Sequence, residues 1–300
     1  MSAVPSESPV QADRRRGGTS RRSSRRRREP MRVAVLTCLA LVWVGIPMWL
    51  LVINSAKPYT EASHLSLSLP KRWMLIDNYK YVIEKGNYPQ ALLNSLIIVV
   101  PTIVVVVLLG SMAAWAFARS RRTSMKIVYN LTVLSVLLPP AVLPTVYMLQ
   151  VVGIDGTRLG YFLVMTGTRL GVVVFLATGF IRAMPQDLEE AAAIDGASRL
   201  QIYRVVVLPL LLPVLLVGCI ILIITIWNEF FFASFLLHGS DSATLPLALY
   251  QFASSSADVA AMRWDLIFAH VVMTSLPVIV AYLFVQRRVV AGLSEGAVKG

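Results

Sequence analysis

This sequence predicts an all-α polytopic membrane protein: six transmembrane helices and a cytoplasmic helix-turn-helix loop. Three observations carry the prediction. Of its 300 residues 56% are hydrophobic and only 15% charged, with a mean hydropathy of +0.68, a composition outside the range of ordinary soluble domains. The apolar residues fall into blocks long enough to cross a hydrocarbon core of about 30 Å. Between two late blocks lies a polar interruption, Pro185 to Pro209, whose local pattern is that of two short helices about a tight turn.

The first apolar block, Val33 to Ile53, has 21 residues and no charge. The second covers about Leu96 to Ala118, the third about Ile127 to Leu149, and the fourth about Leu159 to Ile181. The fifth runs from about Pro209 to Leu237 and the sixth from about Trp264 to Val285. Pro139-Pro140 and Pro144 are expected to break the third span and Pro277 to interrupt the sixth, because proline removes a backbone donor and kinks a helix. The chain therefore divides into an Arg-rich head, residues 1–31, a six-span domain, residues 32–300, and within it a tail, residues 286–300.

Basic residues orient the spans, since Lys and Arg collect on the cytoplasmic side. Ten Arg precede the first span, four bases lie between Arg119 and Lys126, three in and beside the 185–209 segment, and three after Val285. The opposite side holds seven, and Arg169 lies within a span. Both termini and the 185–209 segment are thus expected in the cytoplasm. The head, RRRGGTSRRSSRRRREP, is the main source of the +12 net charge. It has too few apolar residues to fold and is expected to be disordered, serving topology and attraction to anionic membrane lipid. It lacks the aromatic interleaving of a single-strand binder, which argues against nucleic acid as a partner. No small-residue cleavage site follows the first apolar run, so that run reads as an anchor rather than a signal peptide.

The interruption PQDLEEAAAIDGASRLQIYRVVVLP has its own grammar. Pro185 suits a first helical turn, and Asp187, Glu189 and Glu190 place negative charge at the positive end of the helix dipole. Gly196 stops that helix. Ser198 followed by Gln201 is a capping box, so a second helix starts at once, with Leu200, Ile202 and Val205 expected on its apolar side. A membrane-lying helix usually carries Lys and Arg on its polar face, whereas here the first helix carries three acids and no base. The segment reads as a docking surface.

Other chemistries find little support. Cys38 and Cys219 lie in different spans and suggest neither a disulfide framework nor a metal site. His64, His238 and His270 are too scattered for a ligand set, and no P-loop occurs, so the chain cannot hydrolyse ATP alone.

The order Glu190-Ala191-Ala192, three residues, Gly196, nine residues, then Val206-Val207-Leu208-Pro209 resembles the EAA signature, EAA-x3-G-x9-I-x-LP, of the membrane subunits of binding-protein-dependent ABC importers. Val206 stands in the Ile position. The resemblance implies that Glu190, Ala191, Ala192, Gly196, Leu208 and Pro209 belong to a coupling element seated in a cleft of a cytoplasmic ATPase. It extends over about Arg32 to Gly300. Asn94-Ser95, Asp77-Asn78-Tyr79, the Trp227-Asn228-Glu229 triplet and the tail ending in GAVKG resemble the carbohydrate branch, of the maltose-type second permease.

What this implies is a non-catalytic, multi-pass permease of the bacterial cytoplasmic membrane, forming half of the path for a sugar or oligosaccharide. The implied partners are a second permease of different sequence, two cytoplasmic ABC ATPase subunits and an extracytoplasmic solute-binding protein. No cofactor is bound by this chain; ATP and Mg are used by the ATPase subunits. Importers of polyamine or phosphate are the alternative within the class. A membrane-embedded enzyme is the rival outside it, and it would need clustered catalytic groups that the sequence lacks. Arg169, Asn228 and Glu229 are candidates for the translocation path, because charge in hydrocarbon costs at least about 2.5 to 3.5 kcal/mol on insertion scales. Their structural reading is that Arg169 and Glu229 pair with each other, or that Glu229 lies near the outer interface. Thr166, Gly167, Thr168 and Gly171 fit either the path or close helix packing.

Overall fold

The computed structural model describes residues 31–138, 141–255 and 262–297. The Arg-rich head up to Pro30, Pro139-Pro140 and the last three residues of the tail lie outside the described residues. Every regular element among the described residues is helical. Five helices are long and apolar enough to cross a membrane: α1 (Met31–Ser55), α3 (Tyr88–Arg119), α6 (Arg158–Ala183), α8 (Arg199–Trp227) and α11 (Trp264–Ala297), whose apolar part is Trp264–Phe284. Shorter helices join them: α2 (Leu75–Lys85), α4 (Thr123–Leu137), α5 (Val142–Val152), α7 (Asp187–Ile194), α9 (Phe231–Leu236) and α10 (Leu245–Ser254).

The third span, expected over about 127–149 with a break at its prolines, is in two pieces. Helices α4 and α5 meet at 114°, a broken span or a re-entrant loop, so the described residues hold five candidate spans, or six if this pair counts as one. Pro277, by contrast, lies inside α11, which continues through it. The fifth span is also shorter at its far end than expected, since α8 stops at Trp227 and residues 231–236 form the separate α9.

Two π turns mark the long helices. Leu41–Gly45 lies just before Pro47, and Tyr203–Val207 just before Pro209. A proline offers no N–H to the preceding turn and its ring crowds that turn's carbonyl, and one widened turn relieves both problems without ending the helix.

The core is built around α3 and α6, which pack along most of their lengths, with α8 against both. Close approach comes from small residues: a Cβ on Gly110 would lie 2.9 Å from Val173, and one on Gly171 would lie 2.6 Å from the Thr132 carbonyl of α4. Gly171 is therefore a packing position, whereas a Cβ on Gly167 would meet nothing within 4 Å. Thr166 and Thr168 return their hydroxyls to the carbonyls of Phe162 and Val164 on their own helix. Helix α11 closes the other side, against α8, α2 and α1. Helix α1 is peripheral, with apolar side chains such as Trp43, Leu36 and Cys38 exposed along it.

Candidate coupling and translocation sites

The 185–209 segment folds as its sequence grammar requires. Asp187, Glu189 and Glu190 occupy the first turn of α7. The helix closes in a Schellman motif: Ala197 N–H donates to the Ala192 carbonyl at 3.0 Å and Gly196 N–H to the Ala193 carbonyl at 3.1 Å. Gly196 has φ +85°, the left-handed conformation this motif needs, and a Cβ there would meet nothing within 4 Å. The requirement for glycine is thus one of backbone conformation rather than of space. Ser198 and Gln201 form both halves of the capping box that starts α8.

One acid is fastened inward. Arg119, the last residue of α3, donates from Nε and Nη2 to Glu189 Oε1 at 2.9 and 2.7 Å, and Trp115 Nε1 donates to Oε2 at 2.8 Å. Arg119 also reaches the Met184 carbonyl at 3.3 Å. The two charged side chains are only 17% and 13% exposed. Trp115 packs on Tyr203 with ring centroids 5.9 Å apart, and the Tyr203 hydroxyl lies 2.7 Å from Ser111 Oγ. The end of α3, the start of α7 and the π turn of α8 are thereby one fastened unit. Sequence reasoning missed this clasp: it identified Glu189 only as a charge at a helix start and Arg119 only as a topogenic base.

The outward side of the unit is different. Glu190 and Ala191 are exposed, and Ala192 is half-buried against the core. Leu188 and Ile194 are also exposed, Ile194 to 86%. An open cavity of about 690 Å³ lies beside them, with Arg119, Arg122, Arg199, Glu189 and Glu190 among its lining residues. Leu208 and Pro209 do not join this tip. They sit where α8 leaves the π turn, Leu208 half-buried and Pro209 exposed. The expected apolar side of the second helix is corrected as well. Ile202 is buried, but Leu200 and Val205 are exposed, and the inner positions pass instead to Tyr203 and Val207 through the π turn.

At the other end of α8, Trp227 is buried and donates from Nε1 to the Thr274 carbonyl at 3.1 Å. Asn228 is exposed and donates to the Ile224 carbonyl at 2.9 Å. Glu229 accepts the Phe232 N–H at 3.1 Å, as a cap for α9, and the Tyr161 hydroxyl at 3.2 Å. Arg169 lies half-buried on α6, two turns from Tyr161, and its buried Nε has no partner. No ion pair among the described residues joins it to Glu229. Asn94 and Ser95, singled out at the entry of the second span, pin the loop before α10: Asn94 Nδ2 donates to the Asp241 and Ala243 carbonyls at 2.8 and 2.9 Å, and Ser95 Oγ accepts the Leu245 N–H at 2.8 Å. No group of three His, Cys, Asp or Glu among the described residues could hold a metal ion.

Residues 92–295 match the profile of the binding-protein-dependent transport system inner membrane component family. The chain is 35% identical over 266 residues to the "probable starch degradation products transport system permease protein" of Thermoanaerobacterium thermosulfurigenes, a match covering 87% of this chain and 93% of the relative. It is 32% identical over 269 residues to the trehalose transport system permease protein of Mycobacterium tuberculosis, covering 89% and 97%. Among solved structures, a chain of a bacterial ABC transporter involved in the import of the acidic polysaccharide alginate superposes with a TM-score of 0.74 at 19% identity, over 93% of this chain and 99% of the other, which speaks for the fold.

Proposed function

The chain belongs to the family of binding-protein-dependent transport system inner membrane components, and from that premise we propose that it forms half of the path by which an ATP-driven importer takes up a sugar or oligosaccharide. Relatives whose names carry trehalose, melibiose/raffinose/stachyose and starch degradation products support the substrate class. The chain is a non-catalytic, multi-pass membrane subunit. In this reading residues 32–300 are the permease domain and both termini face the cytoplasm. A second permease of different sequence completes the path, and a solute-binding protein delivers substrate from outside. Two ATPase subunits with their ATP and Mg act from the cytoplasm.

The observation that carries the coupling role is the fastened α7–Gly196–α8 unit. Its inner side is tied to α3 by Glu189, Arg119 and Trp115, while Glu190, Leu188 and Ile194 stay exposed for a partner. Exposed apolar side chains beside a carboxylate, on a segment outside the membrane, suit a protein cleft that offers both apolar contact and a basic group. A movement of that cleft is passed to α3 through the clasp and to α8 through the chain itself. In the same reading Arg169, with a donor left unsatisfied by the protein, and Glu229 and Asn228 at the end of α8 face the solute path, where guanidinium and carboxylate groups suit sugar hydroxyls.

Purification of the chain from its native membrane in mild detergent tests this directly. An ATPase subunit should copurify with the wild type and be lost from Glu190→Lys, while Gly196→Arg should insert normally yet uncouple uptake from hydrolysis. Isolation of the chain with no ATPase, unchanged by Glu190→Lys, would overturn the coupling assignment.

A further inference from the structure

The loop after α1 carries its apolar side chains outward. In the stretch Leu65-Ser66-Leu67-Ser68-Leu69 the three leucines are exposed to 42%, 48% and 61%, Ser68 is exposed beside them and Ser66 is half-buried. A loop bathed in water gains by the opposite arrangement. The leucines are held outward by bonds to the end of α1. Asn54 Nδ2 donates to the Ser66 carbonyl at 3.1 Å, and Lys57 Nζ donates to that carbonyl at 2.6 Å and to Ser66 Oγ at 2.9 Å. Asn54 and Lys57 are both fully buried. Leu65 takes φ +49°, a conformation that a bulky residue adopts only when its surroundings impose it.

The height of the loop follows from one more bond. Trp49 Nε1 donates to the Leu67 carbonyl at 3.0 Å. Trp49 lies six residues before the end of α1, about 9 Å down the helix at 1.5 Å per residue. The loop therefore folds back along α1, and Leu67 sits against the exposed apolar side of a membrane-spanning helix. Its carbonyls at 66 and 67 are satisfied by side chains rather than left for water, as backbone near hydrocarbon must be. Lys71 and Arg72 follow after the buried Pro70 and are exposed. Exposed basic residues beside an apolar tip suit the boundary between acyl chains and headgroups.

We propose that residues 65–69 are an interfacial anchor, with Leu65, Leu67 and Leu69 embedded at the acyl boundary of the bilayer leaflet that surrounds the far end of α1. The occupant is lipid, because the patch is continuous with the exposed face of α1 through the Trp49 bond. The proposal rests on α1 crossing the membrane and is independent of the solute carried.

The test is nitroxide labelling of single cysteines at 65, 67 and 69, with 72 as the control, in a Cys38→Ala, Cys219→Ala background. The assembled importer is reconstituted into phosphatidylcholine/phosphatidylglycerol vesicles. Labels at the three leucine positions should favour collision with oxygen over a water-soluble nickel chelate by at least roughly threefold relative to the label at 72, as expected for side chains below the headgroups. Equal or greater access to nickel at 67 and 69 would place the loop in water, and low access to both reagents would place it under another protein chain. Either result overturns the anchor. Should the label at 65 disturb its left-handed backbone and prevent assembly, the exposed positions 67 and 69 decide the question alone.

Discussion

Arg119→Met removes the guanidinium of the clasp while keeping most of the side chain's hydrocarbon. Glu189 then retains only the Trp115 indole, having lost bonds of 2.9 and 2.7 Å on Oε1. A hydrogen bond to a charged group contributes about 1.5 to 3 kcal/mol, and orphaning one partner of a fully buried pair costs about 3 to 5 kcal/mol. With 17% and 13% of the two side chains still exposed, the loss falls below the second range, at about 2 kcal/mol. That lowers the ratio of fastened to unfastened α7 by roughly thirtyfold, at a factor of ten for each 1.4 kcal/mol. The assay is the number of ATP molecules hydrolysed per solute imported by the reconstituted importer, together with a double-mutant cycle against Glu189→Gln read from unfolding in detergent. The variant is expected to remain in the membrane, to hydrolyse ATP with weakened dependence on solute, and to spend several times more ATP per solute. A coupling energy of about 1.5 to 2 kcal/mol between the two sites is expected from the cycle. Wild-type stoichiometry in Arg119→Met, or a coupling energy below about 0.5 kcal/mol, would refute the claim that the clasp transmits the motion.

At Gly196 the surroundings are open and only the left-handed backbone matters, so Gly196→Ala should destabilise the unit by about 1 kcal/mol and Gly196→Asn by visibly less, measured as thermal unfolding in detergent. Equal values for Ala and Asn would contradict the conformational account. Gly171→Leu should separate α4 from α6, since even a Cβ would lie 2.6 Å from the Thr132 carbonyl and 2.7 Å from Val136 Cγ2; a lowered yield of folded protein in the membrane, with a loss of about 1 to 3 kcal/mol in what remains, is expected. Asn94→Ala leaves the Ala243 carbonyl without its donor and the Asp241 carbonyl with Arg158 alone, so limited proteolysis between 239 and 244 should accelerate by roughly fivefold to tenfold, as a loss of about 1 to 1.4 kcal/mol implies. An unchanged cleavage rate would show that the loop is held by something else.

The parts of this molecule that were legible in the sequence are those fixed by neighbours in the chain. Span positions follow from runs of apolar residues. The α7 start, the Gly196 stop and the Ser198–Gln201 box are local backbone chemistry, and the structure forms each of them. What escaped are pairings across long sequence distances and changes of helical phase. Arg119 and Glu189 are 70 residues apart, and neither is unusual where it stands. The outward turn of Val205 follows from the π turn, which adds to the helical repeat, whereas Leu200 precedes that turn and lies about 200° from Ile202 even at 3.6 residues per turn, so grouping it with Ile202 misreads the period. The W-N-E triplet was legible as a signal but not as a place: it ends α8 and caps α9 rather than lying within one span. The exposed side of the LSLSL stretch is set by bonds to Trp49, Asn54 and Lys57, partners 9 to 18 residues away, and the sequence reading passed over it.

Helix α8 runs unbroken from the capping box to Trp227, 29 residues or about 43 Å, with a single widened turn along the way. Such a rod has no break at which its two ends could be timed separately, its softer points being that turn and the amide donors missing at Pro209 and Pro213. A displacement imposed at Arg199 must arrive at Trp227 in the same stroke, reduced only by the give of those points. An opening on one face of the membrane and a closing on the other would then be two readings of one lever's angle, and a state with both faces open would require the lever to snap rather than to swing.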